Sequence, residues 1–184
     1  KNINNTWTQV GSDIDGEAAG DQANNISISG DGSVIAIGAN LNDGNGIDSG
    51  HVRVFKNINS TWTQIGSDID GEAAGDNFGK SVALSNDGSL IAIGAKYTKG
   101  ENKINSGYVK IFKDTNGVWN QIGNNIEGES EGDSFGGYTT SLSLSDDGQI
   151  VAISGPKNDG NGIDSGHVRV FKNINNNWTQ VGSD

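Results

Sequence analysis

Two histidines, His51 and His167, and a regular supply of carboxylates are the groups in this 184-residue chain with the means for acid–base or metal chemistry. Each histidine opens the same segment, GHVRVFK from Gly50 and from Gly166, and Tyr108 holds that place in GYVKIFK from Gly107. A position that takes His or Tyr alike reads as a seat for a flat, partly polar side chain between strand edges, not as an acid or base. The carboxylates recur in GEAAGD at Gly16 and Gly71 and in GESEGD at Gly128. A catalytic carboxylate pair needs a set separation within one cleft, so groups repeated once per unit along an array read as joints. A second set, Asp43, Asn45 and Asp48 in NDGNGIDSG with counterparts Asp159, Asn161 and Asp164, offers the oxygen ligands that calcium takes. The corresponding stretch from Lys96 to Ser106 carries three lysines, so calcium in every unit is not expected and no cofactor is required.

Other chemistry is excluded by composition. With no Cys there are no disulfides, thiolate nucleophiles or Cys-based zinc sites. No nucleophile elbow and no phosphate-cradling loop opening a helix is expected, so the chain reads as non-enzymatic. The net charge of -11 makes nucleic acid an improbable partner. No apolar run of about 18 residues exists for membrane insertion. The start, Lys1 to Asn5, lacks the apolar core of a signal peptide, so an export signal would lie outside this sequence.

The elements that position these groups come from a repeat. Trp7, Trp62, Trp119 and Trp178 head WTQVG, WTQIG, WNQIG and WTQVG at spacings of 55, 57 and 59 residues, and Asp31-Gly32, Asp87-Gly88 and Asp147-Gly148 keep the same period. Within a period, SVALS from Ser81 and SLIAIGA from Ser89 flank an Asp-Gly turn, and GYVKIFK and VWNQIG flank a polar turn, which makes two hairpins. With 29 Gly, 24 Asn and 32% hydrophobic residues, the core must be divided into thin layers between turns. The spacing predicts an all-β chain of β-propeller-type repeats, three four-stranded antiparallel blades plus one extra N-terminal strand. Residues 1–13 would be the last strand of a preceding blade, followed by blades at 14–68, 69–125 and 126–184. A β-solenoid and a stack of small sheets are the alternatives. The repeated Trp reads as packing between sheets rather than a platform for sugar rings.

Phe78-Gly79 and Gly94-Ala95, echoed by Phe135-Gly136 and Ser154-Gly155-Pro156, resemble the FG-GAP repeat, the blade of integrin-α-like propellers and of many bacterial surface proteins. The first unit has Ala23-Asn24 where the motif has Phe-Gly. The resemblance implies an extracellular or cell-surface repeat module for adhesion or matrix structure through protein or glycan contacts. It also implies a calcium loop between the first two strands of a blade, which is absent here because Gly30-Asp31-Gly32 and its counterparts are too short to wrap an ion. Three units leave open edges, so other copies of the chain or further blades of the same chain are expected partners, and a self-assembling filament or ring is the alternative. A carbohydrate-binding propeller is a third reading, for which Tyr97 is the one loop aromatic. Sequons at Asn4, Asn59 and Asn177 sit near hairpin turns open to glycosylation, whereas Asn25 starts an inner strand.

Overall fold

The computed structural model describes residues 1–96 and 105–183. Their three main sheets each contain four antiparallel strands in strict chain order. The first joins β3 (Ala23–Ile28), β4 (Val34–Ala39), β5 (His51–Ile58) and β6 (Thr61–Gln64). The second joins β8 (Ser81–Leu84), β9 (Leu90–Ala95), β10 (Tyr108–Asp114) and β11 (Trp119–Gln121), and the third joins β13 (Leu142–Leu144), β14 (Ile150–Gly155), β15 (His167–Ile174) and β16 (Asn177–Gln180). The all-β, blade-like architecture agrees with the sequence. No helix among the described residues is long and apolar enough to cross a membrane.

Two details differ from the expected layout. Residues 1–13, expected to supply one strand, form a hairpin of β1 (Asn2–Ile3) and β2 (Thr6–Trp7), because Lys1-Asn2-Ile3 repeats the tail of β5 as well as the strand that follows it. The segments expected to open the second and third units, β7 (Ile69–Asp70) and β12 (Ile126–Glu127), instead ladder onto β5 and β10 of the units before them. A connector thus remains hydrogen-bonded to one blade before it enters the next.

The turns follow from residue chemistry. Two-residue hairpin turns that match strand twist need positive φ at both central positions. Asn4-Asn5, Asn59-Ser60, Asn116-Gly117 and Asn175-Asn176 all adopt it. The inner Asp-Gly turns are closed by side chains as well. The Oδ1 of Asp87 accepts from Ser85 Oγ at 2.7 Å and from the Ser89 amide at 2.9 Å, and Asp31 and Asp147 repeat the arrangement. These hydrogen bonds to the ionised form hold all three carboxyls below the usual aspartate range.

Neither core lies within a sheet; both lie between sheets. Val34, Ala36, Val52 and Val54 of the first blade meet Phe78, Leu84, Ile91 and Ile93 of the second. Ala92, Val109 and Ile111 of the second then meet Phe135, Val151, Ile153 and Phe171 of the third. The approach is closest at the motif glycines. A Cβ placed on Gly38 would overlap the carbonyl oxygen of Gly79, and one on Gly94 would overlap that of Gly136. Along the inner edge, hydrogen bonds from Gly30 N to Asn86 O at 2.8 Å and from Asn86 N to Asp146 O at 2.9 Å tie successive turns together.

Two outcomes follow from this packing. Gly94→Ala forces backbone apart at the second contact and is expected to destabilise the chain by about 1–3 kcal/mol, read as a lower urea midpoint with an unchanged slope. For Asp87, the depressed folded-state pKa contributes stability that is present above the unfolded aspartate value, about 3.9, and lost as pH falls through the folded value. Urea midpoints measured between about pH 5 and pH 2 should therefore fall more steeply for the wild type than for Asp87→Asn.

Candidate functional site

The sequence motifs converge on the surfaces between blades. Phe78 and Phe135 are fully buried there, Phe78 stacked on Tyr108 with ring centroids 6.2 Å apart and Phe135 edge-on to His167 at 5.7 Å. Gly79 and Gly136 have positive φ, and Ala95 and Gly155 are buried while Pro156 is exposed. Each half-buried Trp indole crosses to the unit before it. Trp62 Nε1 donates to Val10 O at 2.9 Å, Trp119 to Ile65 O at 3.1 Å and Trp178 to Ile122 O at 3.0 Å. Trp7 is 81% exposed. Tyr97 lies outside the described residues.

The acidic connectors are built into the same joints. Asp21, Asp76 and Asp133 are buried, and each accepts from an amide of its own connector, that of Ala18, Ala73 or Ser130. Each also accepts from its blade: Asn42 Nδ2, Tyr108 Oη and Asn158 Nδ2 respectively. Burial pushes the Asp76 carboxyl up, and burial beside the Asp76 and Glu72 charges pushes the Tyr108 phenol far up. Glu17, Glu72 and Glu129 pair with Arg53, Lys110 and Arg169 on the third strand of each blade.

The oxygen-rich outer loops serve as turns and staples. Asp43 Oδ1 accepts from the Asp48 amide at 2.8 Å, and Asp159 Oδ1 does the same for Asp164. Asn45 Nδ2 reaches the next connector at Gly71 O, 2.7 Å away, and the amides of Gly75, Asn77 and Phe78 bond the carbonyls of Ile47, Asp48 and Ser49. In the third unit Asn161 lies exposed beside Ser165, its amide 3.3 Å from the Ser165 hydroxyl. Of the sequons, Asn4, Asn59 and Asn177 are exposed and Asn25 is buried against Asn24 and Asn40.

Two features escaped the sequence reading. Gly132-Asp133-Ser134-Phe135-Gly136 spells the letters of a nucleophile elbow, but no helix follows it. Ser134 is buried at a positive-φ turn shared with Gln22 and Asn77, and its hydroxyl lies 3.3 Å from Gly132 O. The second is a cluster of Glu17, His51 and Asp68, whose ligand atoms all lie within 4.8 Å of one another. These three come from two connectors and a strand, so no local motif marks them. The readable signal is a paired change: where the second unit has Tyr108 for His51, it has Asn125 for Asp68.

The two ends of the array differ from the joints inside it. The third blade repeats the face that the first presents to the second, with Ile150, Ala152, Val168 and Val170 in place of Val34, Ala36, Val52 and Val54. Val52 is 0% exposed and Val168 is 59% exposed. On the opposite side of the array Ile26 and Ile28 of the first blade are exposed, where Leu84 of the second is buried.

Comparison with known proteins agrees with this geometry. Residues 68–112 match the FG-GAP repeat family. No curated protein matches the chain. Among solved structures it is similar to a protein of Bacteroides uniformis described as a 6-phosphogluconolactonase, with a TM-score of 0.54 and 17% identity over 85% of this chain and 38% of that one. It is also similar to the tricorn protease, with a TM-score of 0.50 and 10% identity over 85% of this chain and 14% of that one. The chain therefore spans well under half the length of either, and at these identities the likeness is one of fold. The chain is an all-β array of propeller-type blades in which residues 68–112 are an FG-GAP repeat.

Proposed function

We propose that this chain is a non-catalytic binding and assembly module, acting at the cell surface or outside the cell in adhesion or matrix structure, whose blades add to one another face to face. The observation that carries the reading is the way its two open faces depart from the motif together. Inside the array a Phe-Gly turn always sits on a glycine of the blade before it, Gly79 on Gly38 and Gly136 on Gly94. The exposed face of the third blade has Ser154 at that glycine position. The exposed face of the first blade has Ala23-Asn24, with a register shift between Ala23 and Asn25, in place of Phe-Gly. A side chain on one face and the missing turn on the other are complementary.

The occupant of the third blade's face is thus the first blade of a second copy. Residues 1–13 repeat residues 172–184 with one change, Thr6 for Asn177. In such a contact the outer hairpin of the third blade takes the place beside Trp62 that β1 and β2 hold here, and the Val181 carbonyl replaces that of Val10. The half-buried indoles favour protein contacts over a stacking platform for glycans.

Light scattering over a concentration series should show association that Val168→Lys abolishes while leaving the melting temperature of the monomer nearly unchanged, since Val168 is exposed. Ile28→Lys on the opposite face should abolish it as well, and a mixture of the two variants should stop at a dimer through their intact faces. A wild-type chain that stays monomeric throughout, or association insensitive to Ile28→Lys, overturns the head-to-tail reading.

A further inference from the structure

We propose that Glu17, His51 and Asp68 form a binding site for a divalent transition-metal ion of the zinc class. The His51 side chain is only 2% exposed, and it makes no hydrogen bond among the described residues: its Nε2 is buried without a partner. Its Nδ1 is aimed at two carboxylates, 3.8 Å from Glu17 Oε2 and 3.9 Å from Asp68 Oδ2. These separations are too long for hydrogen bonds. They are close to the edges of a coordination shell, since zinc bonds of about 2.0–2.1 Å in a tetrahedron give edges of about 3.4 Å. Glu17 and Asp68 are 42% and 30% exposed, so their side chains are free to close in on an ion, with water completing the shell.

Both carboxylates are oriented by outer groups, as ligands of a metal are. Arg53 Nη1 lies 3.6 Å from Glu17 Oε1, and Gln64 Nε2 donates to Asp68 Oδ1 at 2.7 Å, so in each case the other oxygen faces the imidazole. The donor set of one imidazole nitrogen and two carboxylate oxygens suits zinc and its neighbours rather than calcium, which takes oxygen alone.

The second unit supplies an internal control. Its corresponding residues are Glu72, Tyr108 and Asn125. Gln121 Nε2 still donates to Asn125 Oδ1 at 3.0 Å, so the outer orientation persists. Glu72 pairs with Lys110 as Glu17 does with Arg53, whereas the phenol that replaces the imidazole is engaged with Asp76. Losing the imidazole and the second carboxylate together is what a lost ligand set requires, whereas a seat for a flat ring needs no change at Asn125.

The test is equilibrium dialysis and thermal melting of the intact chain with zinc, set against the double variant His51→Tyr with Asp68→Asn, which installs residues the fold already carries in its second unit. The wild type should bind zinc at micromolar concentration. Zinc at about 100 times Kd should raise its folded-to-unfolded ratio about 100-fold. The variant should bind one equivalent fewer and lose that part of the stabilisation, while its metal-free melting temperature shows that it folds. Equal stoichiometry in the two proteins overturns the proposal. So does a wild-type melt that zinc leaves unmoved.

Discussion

The fold depends on one close contact, the seating of a glycine turn of one blade on a glycine strand of the blade before it. Four short strands with 32% hydrophobic residues cannot bury a face of their own. Stability comes only when two sheets are brought close enough for thin apolar layers to interlock. The Gly79–Gly38 and Gly136–Gly94 contacts set that distance, because side chains there would hold the backbones apart. Once it is set, Phe78 and Phe135 fill the space beside the turn, and the Trp indoles reach the preceding unit. The motif is thus a description of an interface, not of a blade.

The same constraint explains loops that look like ion sites. A buried connector between blades leaves amides and carbonyls that must be paired. The segment from Asn42 to Gly50 supplies those partners from Asn45 and from the carbonyls of Ile47, Asp48 and Ser49. Asp43 and Asp159 fold the loop into position by accepting an amide five residues on, a short-range Asx contact that competes with metal ligation for the same oxygen. The acidic connectors obey similar logic. Asp21, Asp76 and Asp133 are each doubly hydrogen-bonded, which offsets part of the cost of burying them.

Much of this was legible in the sequence, for a physical reason. Strand period, Asp-Gly and Asn-Asn turns and the position of Phe-Gly are all local, and the structure places the strands where those signals stand. The hairpin at residues 1–13 was missed because Asn2-Ile3 is too short to alternate visibly. Ile69–Asp70 and Ile126–Glu127 went to the wrong sheet because pairing to a preceding strand has no sequence period. The letters around Ser134 needed their context, a turn without a helix, before they could be set aside. The approach of Glu17 and Asp68 to His51 joins positions 34 and 17 residues away from it, and only comparison between the units exposes it.

Repeats that stack through one conserved contact face a problem of register, since any unit can follow any other and the array has no defined length. Departing from the motif on one side of a single joint would only weaken it. Departing on both sides gives that joint its own geometry. A Cβ at Ser154 excludes a Phe-Gly turn by the overlap that Gly38 and Gly94 avoid, so the entry faces of the second and third blades are rejected at that position. Of the three blades described, only the first, with Ala23-Asn24, has an entry face without such a turn. Steric exclusion at one residue is thereby enough to restrict which kind of blade can follow the third, with no added attraction needed at the joint itself.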